Sequence, residues 1–213
     1  AQTVEVFASD PGFARDIAAW SRRTGNTLMK NEKRGNDYYA LVRKGPGTKL
    51  SPAQQAETQM QGKTIIVFDG DLDKVIASFI IANGAAAMGR PVTMFFTFWG
   101  LNALRKAEKQ PVKKTLIESM FSWMMPRGVG KLQLSRMNMG GMGAAMIRKI
   151  MKDKNVDSLE TMIENAKKAG VKLVACTMSM MGIKEAELID GVELGGVGAY
   201  LGDAEESNVN LFI

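Results

Sequence analysis

Hydrophobic and polar positions along residues 1–44 predict a strand, a helix and a hairpin. The first strand, VEVFAS, alternates apolar with polar side chains, and Asp10 and Pro11 then provide a helix N-cap and a first helical residue. The helix has one apolar face, formed by Phe13, Ile17 and Trp20. Two further strands are expected around a turn at Gly35-Asn36-Asp37, which together predict a small α+β unit.

Residues 45–62 differ in composition from the segments on either side. They contain two prolines, three glycines and few large apolar side chains, which is typical of a linker. We therefore expect a domain boundary in this segment. The chain would then consist of a small domain at 1–44, a linker at 45–62 and a larger domain at 63–213.

Strand-like and helix-like segments alternate from residue 63 onward, which predicts an α/β fold with a parallel sheet and helices on both faces. The strand candidates are short apolar runs: TIIVF, VTMFFTF, KLQL, VKLVAC and NVNLFI. The first helix candidate, 71–88, is apolar nearly all round and should be well buried. A second helix is indicated by apolar residues spaced four apart: Val112, Leu116, Met120 and Met124. A third runs to about residue 153, and a fourth begins with a pair that resembles a capping box, Asp157 and Glu160.

Composition limits the chemistry that this chain performs by itself. The sequence has no histidine and one cysteine, which excludes a Ser-His-Asp or Cys-His catalytic set, a histidine zinc site and an intrachain disulfide. No apolar run reaches the roughly 20 residues of a membrane helix, and the first residues do not resemble a signal peptide. We therefore expect a cytoplasmic protein with no membrane partner.

Charge is distributed unevenly along the chain, whose net charge is +6. Residues 90–154 carry an excess of ten positive charges, and residues 155–213 carry an excess of six negative charges. Most of these side chains are expected on solvated helix faces; the alternative is a basic patch that meets an acidic partner or a sister subunit. Aromatic residues amount to 7% and do not interleave with basic ones, so nucleic acid is not expected as a partner.

The single thiol, Cys176, is the last residue of the predicted strand VKLVAC. In an open parallel sheet, ligands bind in the crevice beyond the carboxyl ends of the strands. If the next residues, which include Thr177 and Ser179, begin a helical turn, their amides favour the thiolate over the thiol. The alternative is a buried strand-end cysteine that acts as a small hydrophobic residue.

Other candidates for the same crevice come from neighbouring segments. Asp69 begins the sequence DGDLD, which lacks the glycine and glutamate of a calcium loop and is better suited to capping the next helix. Thr97 and Trp99 lie at the end of the second strand, where Trp99 is either a pocket wall or a core residue. Gly140 and Gly141 lie in MNMGGMG, whose free amides at a helix start suit an anion, although the spacing is not that of a P-loop.

Methionines are abundant, at 16 residues, and gather at residues 137–142 and 178–181. Thioethers with one thiolate would suit Cu(I), but such groups more often provide adaptable packing or a surface that fits several partners. Because no Met-x-Met cluster repeats and no second cysteine is present, we do not expect copper. No cofactor is expected either.

Several long stretches resemble the DsrE/DsrF/DrsH-like sulfurtransferase family across residues 63–213: IIANGAAAMGRPVTMFFTFWGLNALRK, MNMGGMG, and ACTMSM with MGIKEAELIDGVELGGVGAYL. The resemblance implies a flavodoxin-like or DsrE-type fold, homo-oligomers, and a role in sulfur relay in which Cys176 is the matching thiol. In this branch an acidic and an apolar residue usually separate ACTMSM from MGIK, whereas Met180 is joined directly to Met181 here. A shorter loop, or absent residues, would place a mobile segment beside the thiol.

The segment VEVFASDPGFARDIAAWSRRTGNTLM is similar to the later part of a TusA/SirA-like sulfur-carrier domain. The strand and the Cys-Pro-x-Pro motif that begin such a domain are not present, so residues 1–44 are not expected to transfer sulfur by that route. The chain is therefore expected to be a fragment of a longer protein or a form that has lost this thiol. By analogy, rhodanese-like, TusA-like or disulfide-reductase modules are the expected partners.

The leading hypothesis is a sulfurtransferase or sulfur-relay module that carries a persulfide on Cys176. Thr177, Ser179 and the amides around them would stabilise the thiolate. One alternative is a non-catalytic docking or regulatory module for a redox or sulfur enzyme, indicated by the charge asymmetry and the methionines. Another is a pocket for CoA-like or nucleotide-like molecules, indicated by the glycine-rich helix start and the basic middle of the chain.

Overall fold

A computed structural model of the chain describes residues 2–9, 13–45, 61–180 and 182–213, which form two compact units. The predicted helix cap at Asp10 and Pro11, most of the predicted linker, and Met181 lie outside the described residues. The domain boundary within residues 45–62 therefore stays a prediction.

The first unit is a three-stranded antiparallel sheet with one helix. Its elements are β1 (Thr3–Ala8), α1 (Phe13–Arg23), β2 (Thr27–Arg34) and β3 (Asp37–Arg43), and the strand order is β1-β3-β2. The central strand supplies the buried side chains of Tyr39 and Val42, and α1 packs against β2 and β3. Gly35, at φ +63°, forms the tight turn between β2 and β3. The strand, helix and hairpin that the hydrophobic pattern predicts are all present.

The second unit contains a five-stranded parallel sheet. Its strands are β4 (Gly62–Val67), β5 (Val92–Phe96), β6 (Lys172–Cys176), β7 (Val192–Gly195) and β8 (Ser207–Phe212), in the order β7-β6-β5-β4-β8. Its α-helices are α2 (Leu72–Ala87), α3 (Leu116–Met124), α4 (Met142–Asp153), α5 (Leu159–Lys168) and α6 (Val197–Glu205). A short 3-10 helix, Phe98–Leu104, follows β5. None of the helices described in either unit is long and apolar enough to cross a membrane.

Helices cover both faces of this sheet. On one face, alternate residues of the central strands pack with Phe79 of α2 and Ile163 of α5 in the main hydrophobic core. On the other face, Phe95 packs with Tyr200 of α6, with ring centroids 5.3 Å apart. Burying each large apolar side chain stabilises the fold by about 1.5–3 kcal/mol. The α/β class with a parallel sheet and helices on both faces is confirmed.

The helix α3 begins later than its apolar spacing predicts. The Thr115 hydroxyl accepts a hydrogen bond from the Glu118 amide, and the Glu118 carboxylate accepts one from the Thr115 amide. This capping box fixes the first helical residue at Leu116, so the prediction that Val112 lies on the helix is wrong. The apolar side chains of α3 are largely exposed, including Leu116 at 88% and Trp123 at 86%.

Residues 131–134, KLQL, do not form the strand that their sequence predicts. The chain makes a 3-10 turn from Val129, and the next backbone groups bond to other elements. The Gln133 carbonyl, for example, accepts a hydrogen bond from the Leu72 amide at 2.7 Å. A strand-like sequence forms no ladder when no strand lies alongside it.

The N-cap of helix α5 lies one residue beyond Asp157, the first residue of the predicted capping pair. The Ser158 hydroxyl accepts a hydrogen bond from the Thr161 amide at 3.3 Å, which makes Ser158 the N-cap. Asp157 instead accepts a hydrogen bond from the Asn165 side chain at 3.1 Å. The predicted helix is present, but its cap is the serine.

Candidate functional site

Cys176 ends β6, which lies between β5 and β7 in the sheet. Because side chains alternate along a strand, its thiol lies on the α6 side of the sheet, in a small apolar group with Phe95 and Val174. The residue is 6% exposed. Across the ladder it pairs with Gly195, where a Cβ would lie 2.7 Å from the Val174 side chain. Gly195 therefore leaves the position beside the thiol free of a side chain.

The segment after Cys176 forms a 3-10 turn, Thr177–Ser179. The Ser179 hydroxyl lies 2.8 Å from the Thr97 hydroxyl and accepts a hydrogen bond from the Phe98 amide at 3.1 Å. It also lies 3.5 Å from the Cys176 carbonyl oxygen. Ser179 thus joins the turn after β6 to the loop after β5 at the carboxyl end of the sheet.

The surroundings of the thiol favour its ionised form. Burial raises the pKa of Cys176, but the Ser179 hydroxyl, the amides of Met178 and Ser179, and the Thr97 hydroxyl lower the pKa and outweigh burial. These groups stabilise a thiolate because each is a hydrogen-bond donor, and donors beside a sulfur favour its negative form. The resulting pKa lies below the ordinary value of a cysteine. Near neutral pH, Cys176 is therefore ionised to a greater extent than an ordinary cysteine.

A cleft of about 590 Å³ opens at the carboxyl ends of β4 and β5. Asp69, Trp99 and Asn102 line it, together with residues of α3 and the segment that follows. Gly70 allows the two loops to approach closely, since a Cβ there would lie 2.5 Å from the Trp99 carbonyl oxygen. Cys176 is not among the described residues that line this cleft.

Four of the predicted site residues fall into two groups. Thr97 and Ser179 adjoin the thiol, whereas Asp69 and Trp99 line the cleft. Thr177 is exposed, with its hydroxyl directed to a carbonyl oxygen of β7 at 3.5 Å rather than to the sulfur. Both Thr177 and Ser179 are predicted beside Cys176, and of these two Ser179 lies next to the thiol.

Gly140 and Gly141 lie in neither group. They form the turn before α4 with φ values of +68° and +100°, a backbone conformation that favours glycine. Nearby methionines are exposed: Met137 at 78%, Met139 at 54% and Met142 at 61%. The observed geometry accounts for the two glycines through the turn itself.

The aspartates after β4 pair with neighbouring side chains. Lys74 forms ion pairs with Asp69 and with Asp71, the latter at 3.1 Å. Asp73 accepts hydrogen bonds from the Ser135 amide at 2.9 Å and the Ser135 hydroxyl at 2.6 Å. In the part of the chain that the structure describes, no three acidic or cysteine side chains are grouped to hold a metal ion.

Asn102 is a cleft residue that the sequence hypothesis does not include. It is 1% exposed, and its Oδ1 has no hydrogen-bond partner among the residues described. A buried amide oxygen without a partner is unfavourable, so it marks a place where a ligand or water is able to bind. The available signal in the sequence is the single polar residue within the otherwise apolar run FWGLNAL.

A buried ionic cluster centred on Glu187 is also absent from the sequence hypothesis, which assigns most charges to solvated surfaces. The Glu187 side chain is 1% exposed and lies 3.0 Å from Arg127, 3.6 Å from Arg105 and 2.5 Å from Lys114. Arg105 follows the loop after β5, and Glu187 follows the turn after Cys176. The cluster therefore ties together the two loops that surround the thiol.

The chain belongs to the DsrE/DsrF/DrsH-like family, whose model matches residues 59–212. The uncharacterised protein YrkE of Bacillus subtilis strain 168 is 57% identical over 157 residues, which cover 73% of this chain and 98% of YrkE. The sulfur carrier protein DsrE2 of Allochromatium vinosum is 39% identical over 155 residues, which cover 70% of this chain and 96% of DsrE2.

A weaker, partial similarity concerns the N-terminal region. The sulfur carrier protein TusA of Allochromatium vinosum is 37% identical over 43 residues, which cover 20% of this chain and 57% of TusA. The chain thus matches somewhat more than half of TusA. Both resemblances that the sequence indicates, the DsrE-like one and the partial TusA-like one, are confirmed.

Proposed function

We propose that this chain is a sulfur-relay module that carries sulfane sulfur as a persulfide on Cys176. The observation that carries the proposal is the single thiol at the end of a central parallel strand, whose pKa is lowered by the hydroxyls and amides around it. Two relatives, DsrE2 and TusA, are named sulfur carriers. Since the N-terminal unit has no cysteine, Cys176 is the available sulfur carrier in both units.

Each transfer step is a thiolate displacement. The Cys176 thiolate attacks the terminal sulfur of a donor persulfide, the donor S–S bond breaks, and the donor leaves as a thiolate while a new S–S bond forms on Cys176. An acceptor thiolate then attacks the terminal sulfur on Cys176 and releases the Cys176 thiolate. Both steps balance without an oxidant, a reductant or a cofactor.

The turn after β6 controls access to the sulfur in this proposal. Cys176 itself is 6% exposed, whereas Met178 on the turn is 85% exposed. The turn is therefore a thin cover with solvent on its outer side, and a small displacement of Thr177–Ser179 admits a donor persulfide. Ser179, whose hydroxyl bridges to the loop after β5, holds the cover in place.

Intact-protein mass spectrometry after incubation with a thiol persulfide or polysulfide tests the proposal. The expected result is an adduct of about 32 Da, the mass of one sulfur atom, which is removed by a reducing thiol. The Cys176→Ser variant is the matched control and should gain no such adduct. If the unmodified chain gains no adduct while an exposed thiol in a control protein does, the proposal is wrong.

The proposed partners are proteins that donate and accept sulfane sulfur, of rhodanese-like, TusA-like or disulfide-reductase type, with further copies of this chain in a homo-oligomer. Size-exclusion chromatography with light scattering tests the oligomer. To test a donor, a persulfidated donor protein is mixed with this chain. Transfer is seen when the adduct of about 32 Da, one sulfur atom, moves from the donor to Cys176. A monomeric mass contradicts the proposed homo-oligomer, and the absence of transfer contradicts the proposed donor.

A docking or regulatory role for a redox or sulfur enzyme is the second candidate. It is favoured by the exposed apolar side chains of α3, among them Leu116, Ile117 and Trp123, because contiguous exposed apolar surface marks interaction sites. Cells in which Cys176→Ser retains full activity would favour this role over sulfur transfer. Sulfur transfer would be favoured if Cys176→Ser abolishes cellular activity while a variant without the apolar side chains of α3 retains it.

A further inference from the structure

A second cavity, of about 470 Å³, lies beside α3 on the side of the Glu187 cluster. Lys109, Lys114 and Arg127 line it, together with Ser122, Trp123 and Glu187. Its volume lies in the range of small-molecule sites in proteins, which is roughly 300–1,000 Å³. The sulfur chemistry proposed for Cys176 makes no use of this cavity.

Positive charge is in excess around this cavity. Glu187 is the one carboxylate among the described residues that line the cavity, and it faces Lys114 and Arg127 in the lining and Arg105 behind it. Lys109 adds a fourth positive charge and has no ion-pair partner in the described part of the chain. In the described part of the chain, the local balance is therefore four cations to one anion.

Apart from the carbonyl oxygens of Met125 and Pro126, which accept from Arg105 at 3.4 and 3.1 Å, these cations share few hydrogen-bond acceptors among the described residues. Ser122 Oγ accepts from Arg105 at 2.9 Å, from Lys114 at 2.8 Å and from Arg127 at 3.4 Å. A hydroxyl oxygen has two lone pairs, so three donors share fewer sites than they need. In addition, Arg105 Nε is buried and has no partner among the described residues.

This arrangement is unfavourable unless another anion is present. Arg105 has a side chain that is 0% exposed, and both burial and the nearby Arg127 lower its pKa against the opposing effect of Glu187. Like charges held together out of water repel strongly, because the low dielectric screens them weakly. An added oxyanion would supply both the missing negative charge and the missing acceptor atoms.

We propose that this cavity binds a divalent tetrahedral oxyanion, either free or as part of a small organic molecule. Lys114 and Arg127 provide the charged donors at the inner end, and Lys109 provides a further charge at the exposed end. The exposed indole of Trp123 and the side chain of Val112 form an apolar wall that has room for an organic group. Phosphate and thiosulfate share the chemistry that these residues recognise.

Isothermal titration of the full chain with inorganic phosphate, and separately with thiosulfate, tests the proposal in chloride buffer at constant ionic strength. Saturable binding of at least one of the two oxyanions is expected. Because Lys109 has no ion-pair partner among the described residues, Lys109→Gln should leave the fold intact and lower the affinity roughly threefold. Lys114→Gln should lower the affinity by about tenfold, the equivalent of one charge-assisted contact.

Lys113→Gln is the matched control, because it removes the same charge from the neighbouring residue, which does not line the cavity. The affinity of Lys113→Gln for the oxyanion should equal that of the unmodified chain. Binding of phosphate alone, or of thiosulfate alone, supports the proposal and shows which of the two oxyanions the cavity selects. If neither anion binds more tightly than chloride, or if Lys109→Gln and Lys113→Gln weaken binding equally, the proposal is overturned.

Discussion

Replacing Glu187 with glutamine is expected to destabilise the second unit by about 3–5 kcal/mol. The three cations that face Glu187 have side chains that are 0% exposed in Arg105, 8% in Lys114 and 20% in Arg127. An exposed ion pair contributes up to about 1 kcal/mol because water screens it. Loss of a buried partner costs more, since the remaining charges cannot recover their hydration. Because these three cations are buried or nearly so, the loss of Glu187 should have the larger cost of a buried ion pair.

Urea unfolding followed by tryptophan fluorescence, in chloride buffer free of phosphate, measures this loss. With a slope of about 2 kcal/mol per molar urea, the midpoint should fall by roughly 2 M. Glu185→Gln is the matched control, because Glu185 is exposed two residues away and its replacement should change stability by less than about 0.5 kcal/mol. If the midpoint of Glu187→Gln falls no further than that of the control, the buried cluster does not stabilise the fold as argued.

Three further predictions concern the thiol, the acid range and close backbone packing. Ser179→Ala should move the midpoint of Cys176 alkylation to higher pH, because the serine hydroxyl lowers the pKa of the thiol; an unchanged midpoint across a pH series would contradict this. The pKa of Glu187 is raised by burial but lowered further by Lys114, the Lys184 amide and Arg127, so it lies below its ordinary value. The stability that it contributes is therefore present above its unfolded pKa of about 4.3 and is lost as pH falls through the folded pKa. The stability difference between the unmodified chain and Glu187→Gln should narrow in acid, and a constant difference would refute the assignment. Gly100→Ala places a Cβ 2.1 Å from a backbone oxygen of β4 and should destabilise by about 1–3 kcal/mol. Gly84→Ala in open space on α2 should instead stabilise by up to about 1 kcal/mol, and equal effects of the two substitutions in urea unfolding would contradict the packing argument.

Elements with a strong local pattern are predicted correctly. Strand β4 is a continuous apolar run because both of its faces are covered. Helix α2 forms where its pattern predicts, but the expectation that it is well buried is wrong, since Ile80 is 52% exposed and Ile81 is 41% exposed. The elements β7 and α6 escape prediction by pattern, since their sequences are short, rich in glycine and little buried. For KLQL the error is the reverse, since a strand is predicted and none forms. Among the described residues, no strand lies alongside KLQL with which it could pair.

The candidate site shows the same division. The sequence predicts that Cys176 ends a strand and that a turn with Ser179 follows, because both features are local. It does not predict that Asp69 and Trp99 line a cleft that excludes the thiol, or that Asn102 lies buried beside them. Those outcomes depend on which strands are neighbours and on how closely their loops approach each other.

The amino-acid sequence alone determined that the chain has one thiol and no histidine, that this thiol closes an apolar strand, and that the sheet around it is parallel. Only the tertiary structure brought Thr97 beside that thiol, where its hydroxyl helps to lower the pKa of Cys176. Thr97 and Ser179 are 82 positions apart in the chain, yet their hydroxyls lie 2.8 Å apart beside the sulfur. A pKa depends on burial and on nearby donors. Here Ser179 and the amides of Met178 and Ser179 follow Cys176 directly in the sequence, whereas Thr97 belongs to the loop after β5, which only the order of strands in the sheet brings to the sulfur.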